Sequence, residues 1–118
     1  MELTTEELVK SCEDNGLTCL VCGQGFMATL EDVISDNPGI SDSDAKVSAM
    51  ERMLEENVDF GPLGEEYDTD ETHPERLEAR WDILGDLAER WVDGRYTTLA
   101  ECQTDCTALA RLWLDSRP

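Results

Sequence analysis

The sequence predicts an all-α fold, a compact bundle of about five helices, on three observations. Apolar residues recur at alternating spacings of three and four in successive segments. Most of these segments open on a Ser, Thr or Asp capping signal, and several close on glycine or asparagine. No segment alternates polar and apolar residues as a half-buried strand would. With 40% apolar and 31% charged residues in 118, the composition is globular rather than disordered and fits one domain, residues 1–118.

Thr4-Thr5-Glu6-Glu7 reads as a capping box, with Thr4 as N-cap and Glu7 at N3. The helix it starts carries Leu8, Val9 and Cys12 on one face and stops near Asn15-Gly16. A second helix follows with Phe26, Leu30, Val33 and Ile34 at helical spacing, ended by Asn37-Pro38-Gly39. Ser41 caps a third, in which Val47, Met50, Leu54 and Val58 step by three and four with Met53 beside them. Gly61 to Thr72 breaks the pattern and reads as an exposed acidic loop. Thr72-His73-Pro74-Glu75 is a second capping box, with proline in the first turn. Leu77, Trp81, Leu84, Ala88 and Trp91 then form one apolar stripe, which places these tryptophans in the core. Gly94 ends that helix, and Thr98 to Glu101 caps a fifth whose stripe is Leu99, Cys102, Cys106, Leu109 and Trp113. The fourth and fifth helices are expected to form an antiparallel hairpin.

No run approaches the length of a membrane span. The N-terminus lacks the basic and apolar regions of a signal peptide, so a cytoplasmic location is expected, in a host cell if the chain is encoded by a phage or virus. In that reducing compartment, five cysteines are thiols or metal ligands sooner than disulfides.

The cysteines suggest a centre for the fold. Cys19 and Cys22, followed by Gly23, make a turn that presents two sulfurs to one point between the first and second helices. Cys102 and Cys106, four apart on a helix, converge on one face. Together they supply four thiolates for one zinc ion, with Cys12 or His73 as substitutes. Four thiolates leave no open position, so the zinc is structural. The stretch Cys19, Cys22, Gly23 and Phe26 resembles the first half of a two-cysteine, two-histidine zinc finger. No histidine pair follows it, and the remaining ligands must come from elsewhere. The competing reading makes Cys102 and Cys106 small buried apolar residues of the fifth helix.

No Ser/His/Asp set, phosphate-binding glycine loop or di-iron motif can be assembled, so an enzyme is not expected. The positive clue is charge: 28 acids against nine bases, net −19. Such a surface repels nucleic acid and anionic lipid and attracts basic protein surfaces. Glu65, Glu66, Asp68, Asp70 and Glu71 crowd the loop, while Glu75, Glu78, Asp82, Asp86, Glu89 and Asp93 run down one side of the fourth helix. Carboxylates about 5 to 6 Å apart approximate the phosphate ladder of a duplex strand. In design, though not in sequence, the chain resembles the acidic nucleic-acid mimics by which phages block restriction, repair or CRISPR effectors. That resemblance implies a non-enzymatic inhibitor that docks on a basic, nucleic-acid-binding partner. The alternative is a zinc-stabilised adaptor or virion-assembly protein of a halophile, its acids serving solubility in high salt.

Overall fold

The computed structural model describes residues 2–18, 23–64 and 74–116. Local capping places most of the elements. Thr4 Oγ1 accepts from the Glu7 amide at 3.2 Å and Glu7 Oε1 from the Thr4 amide at 3.0 Å, opening α1 (Thr5–Asp14). Gly25 precedes α2 (Phe26–Asp36), and the Ser41 hydroxyl accepts from the Asp44 amide to open α3 (Asp42–Leu54). A short 3-10 turn covers Gly61–Gly64. Helix α4 spans Pro74–Val92, and the Thr72 cap expected for it lies outside the described residues. At its end Gly94 takes φ +79, the left-handed conformation that lets the Arg95 amide reach back to the Arg90 carbonyl at 3.0 Å. Thr98 and Glu101 form the second complete capping box, opening α5 (Leu99–Asp115). Among the described residues all regular elements are helical.

Helix α4 packs against both α3 and α5, and this double contact widens its buried face. Leu84, Ala88 and Trp91 of the expected stripe are buried, and so is a second row, Ala79, Ile83 and Leu87, together with Val92. The buried arc is therefore centred further round the helix than the expected stripe. Leu77 is left half-buried and Trp81 is 43% exposed, contrary to its expected place in the core. On α3 the expected stripe also shifts. Ala45, Ala49, Met50, Met53 and Leu54 are buried and Val47 only half-buried, while Val58 reaches the core from beyond the helix end.

Trp91 is fully buried at the meeting point of α1, α4 and the α4–α5 turn. Its indole N–H donates to Ser11 Oγ at 3.0 Å, and its ring meets Tyr96 edge-on, with centroids 5.6 Å apart. Asn15, at the end of α1, donates to the Thr97 carbonyl at 3.1 Å and accepts from the Leu99 amide at 2.8 Å, fastening α1 to the start of α5. The N-terminal strand of chain is held by the Leu3 amide on the Val92 carbonyl at 2.7 Å and by Lys46. Lys46, 6% exposed, bonds the Leu3 carbonyl and pairs with Glu2 and Asp42.

Replacing the indole removes both packing volume and the bond to α1. Trp91→Phe is expected to lower unfolding free energy by about 2–3 kcal/mol and Ser11→Ala by about 1 kcal/mol. In a double-mutant cycle followed by urea denaturation, the two losses should fall short of additive, because each removes the same hydrogen bond.

Candidate functional site

The six acids expected on α4 share one side. Glu75, Glu78, Asp82, Asp86, Glu89 and Asp93 are all exposed, fall within an arc of about 80°, and span about 27 Å along the axis. The arginines of the same helix do not all interleave with them. Arg90 turns to α5, where its Nη1 donates to Asp105 Oδ2 at 3.1 Å, and the Tyr96 hydroxyl donates to the same oxygen at 2.6 Å. Arg80 Nη1 donates to the Leu63 carbonyl at 3.4 Å. These two cations tie neighbouring elements together and leave the acidic row along the outer side. The expected loop acids, Glu65, Glu66, Asp68, Asp70 and Glu71, lie outside the described residues, as does His73.

Helix α3 extends the negative surface toward α4. Glu51 lies beside Gly85, its Oε1 in ordinary van der Waals range, 3.9 Å, of where a Cβ there would sit. Partial burial, with the Glu89 charge adding to it, raises the Glu51 carboxyl above its ordinary 4.5. Beside Glu51 open two clefts. One of about 430 Å³ is lined by Val33, Ser48, Glu51, Arg52 and Glu56. Another, of about 300 Å³, is lined by Val58, Asp59, Phe60, Leu77, Arg80 and Leu84. Trp81 and Glu55 belong to both.

The described half of the expected zinc set is inward-facing. Cys102 and Cys106 are fully buried on α5, and burial pushes their thiols up to about 12 and about 11. Cys106 Sγ lies 3.7 Å from the Asp59 carbonyl, which also accepts from Gln103 Nε2 at 2.7 Å. Two residues earlier, Asn57 Nδ2 donates to the Thr18 carbonyl at 3.1 Å. The 57–59 segment thus touches Cys106 on α5 and Thr18 at the end of the first described stretch. Gly23, the first described residue after position 22, takes φ +67, a conformation that favours glycine. Cys19 and Cys22, the other two residues of the expected zinc set, lie outside the described residues. Among the described residues, Cys12 does not gather with Cys102 and Cys106. It is buried on α1 with its Sγ 4.0 Å from Met50 Sδ, and no three metal-binding side chains gather among the described residues.

Sequence reading missed Trp81 as a surface group. The row Ala79, Ile83, Leu87 is the signal that could have found it, because that row moves the buried face away from Trp81. Compared with protein-family models, curated proteins and solved structures, the chain matches none.

The raised Glu51 carboxyl has a definite sign. Unfolded, it ionises near 4.5; folded, it holds its proton to higher pH, so ionisation opposes folding as pH rises through the folded value. Glu51→Gln is expected to stabilise the protein at pH 7 by less than about 1 kcal/mol. The gain should vanish below pH ~4. Thermal melts of both proteins across pH 3.5–8 check this.

Proposed function

We propose that this chain is a non-enzymatic acidic binding protein that docks its α4 face on the basic, nucleic-acid-binding surface of a partner protein, as an inhibitor of the nucleic-acid-mimic type. One observation carries the reading: five exposed carboxylates lie in a single row on a continuous helix and a sixth, Asp93, follows directly at its end, with Arg80 and Arg90 engaged on other sides. A rigid row fixes the spacing of the charges before the partner arrives, so little ordering entropy opposes association. The row's field attracts basic surfaces over a Debye length and speeds encounter. The α3 acids and the loop acids from Glu65 to Glu71 extend the surface in this reading.

A second reading is favoured by composition: 28 acids and only two lysines also suit a halophile's structural, adaptor or assembly protein. The two readings separate on salt. A mimic must be folded and negative at ordinary ionic strength, whereas halophilic acidity needs screening to permit folding. The mimic reading expects a cooperative melt at about 0.1 M KCl and displacement of a labelled DNA duplex from basic DNA-binding proteins and guide-loaded CRISPR effectors. The quadruple change Glu78→Gln, Asp82→Asn, Asp86→Asn, Glu89→Gln should slow association by about tenfold or more, with the difference shrinking as salt rises. A chain that folds only near 3 M KCl, with no displacement of duplex at any lower salt, would overturn the mimic reading.

Zinc belongs to the same proposal, held by Cys19, Cys22, Cys102 and Cys106 and serving to join the two ends of the chain. Elemental analysis is expected to find one zinc per chain, lost in Cys19→Ser/Cys22→Ser, and proton release on metal addition to the apo-protein. Native protein without zinc after purification in zinc-supplemented buffer would overturn the metal assignment.

A further inference from the structure

Trp81 stands at the boundary between the core face of α4 and its acidic row, with Glu78 one turn before it on the row side. The tryptophan is 43% exposed and lines both clefts. Exposure of so large an apolar group costs free energy in water. Among the described residues, no aromatic ring or cation stacks on it. The clefts around it carry four carboxylates, Glu51, Glu55, Glu56 and Asp59, against two arginines. One of those, Arg52, already pairs with Asp36 at 3.7 Å, and the other, Arg80, donates to the Leu63 carbonyl.

From this arrangement we infer that Trp81 and Glu55 form a receptor for an arginine side chain of the partner, the guanidinium lying on the indole face and donating to the carboxylate. The inference rests on the acidic face being the docking surface for a basic protein, and it supplies that surface with an anchor. Three features choose arginine. The excess of carboxylates calls for a cation and disfavours an acidic or purely apolar occupant. An exposed indole attracts cations through its ring quadrupole. A planar, weakly hydrated guanidinium can stack on a ring and bond a carboxylate together, whereas a compact, strongly hydrated ammonium loses more water to do so. The acidic row itself draws lysine and arginine alike, so discrimination between them has to come from a shaped group, and Trp81 provides one.

The test uses the full chain with nona-arginine and nona-lysine peptides, equal in charge, titrated calorimetrically at about 0.1 M KCl. The native protein is expected to prefer the arginine peptide by about 3- to 10-fold. Trp81→Ala and Trp81→Leu should abolish that preference while leaving affinity for the lysine peptide within about twofold, and Trp81→Phe should keep part of it. Circular dichroism melts establish that the variants are folded, and a variant that is not is replaced by Glu55→Gln, which should also reduce the preference. Equal affinity for both peptides in the native protein, or a preference that survives Trp81→Ala, overturns the arginine receptor and leaves the acidic docking face standing. Binding of neither peptide overturns both. Tighter binding of a peptide with leucines in place of alternate arginines shows an apolar occupant and also overturns the inference.

Discussion

Self-repulsion is the constraint under which the whole fold is built. A chain with 28 acids and nine bases cannot neutralise its surface, and the energy of bringing those charges together opposes the compact state. The described cations meet this constraint as inter-element ties as well as surface partners. Lys46 joins the N-terminal segment to α3, Arg52 joins α3 to α2, Arg90 joins α4 to α5, and Arg80 joins α4 to the turn before it. Each of these four sits where two segments meet, and for Lys46, Arg52 and Arg90 the contact that fixes their relative position also neutralises a carboxylate. The consequence is an outer surface that keeps most of its negative charge.

Helix polarity absorbs a further share. Glu7 and Glu101 sit in the first turns of α1 and α5, where unpaired backbone amides favour negative charge. Hydrogen bonds from Thr4 to Glu7, and from Thr97 and Thr98 to Glu101, hold both carboxyls below their ordinary range. Asp42 and Asp44 occupy the same place on α3. The C-terminal turns of α1, α2 and α5 carry no compensating base. These helices therefore accept acids where the backbone helps and tolerate the missing cations elsewhere, with stability resting on the buried apolar faces. Trp91 is the largest of the fully buried groups. Its bond to Ser11 and its edge contact with Tyr96 gather α1, α4 and the connecting turn around one ring.

What could be read from the sequence follows the range of the forces involved. Caps act over three or four residues, so Thr4–Glu7, Ser41 and Thr98–Glu101 were legible in the chain and mark helix starts in the structure. Helix number and type were legible for the same reason. The direction in which a helix faces depends on how many neighbours it has. Helix α4 packs on two, which buries the row Ala79, Ile83, Leu87 and moves Trp81 outward. No local pattern announces that Lys46 is buried, because its partners Glu2 and the Leu3 carbonyl lie more than 40 residues away in the chain. The side of α4 carrying the acids was legible, since a helix periodicity fixes it. The freedom of that side from Arg80 and Arg90 was not, since their partners belong to other elements.

A uniformly negative surface is a poor discriminator, since every basic protein in reach is drawn to it with much the same force. Charge supplies rate and range, and it weakens with salt. Selectivity needs a contact whose strength depends on shape and on being kept from water. Trp81 sits where the two meet, beside the row through Glu78 and over clefts partly walled by Leu77, Leu84 and Phe60. Burying an indole under a partner's side chain removes apolar surface whatever the ionic strength, so its contribution persists when the acidic row is screened. An interface built from both would associate quickly through the row and dissociate slowly through the ring. That division is physically available here because α4 carries the acids and the tryptophan on one rigid helix.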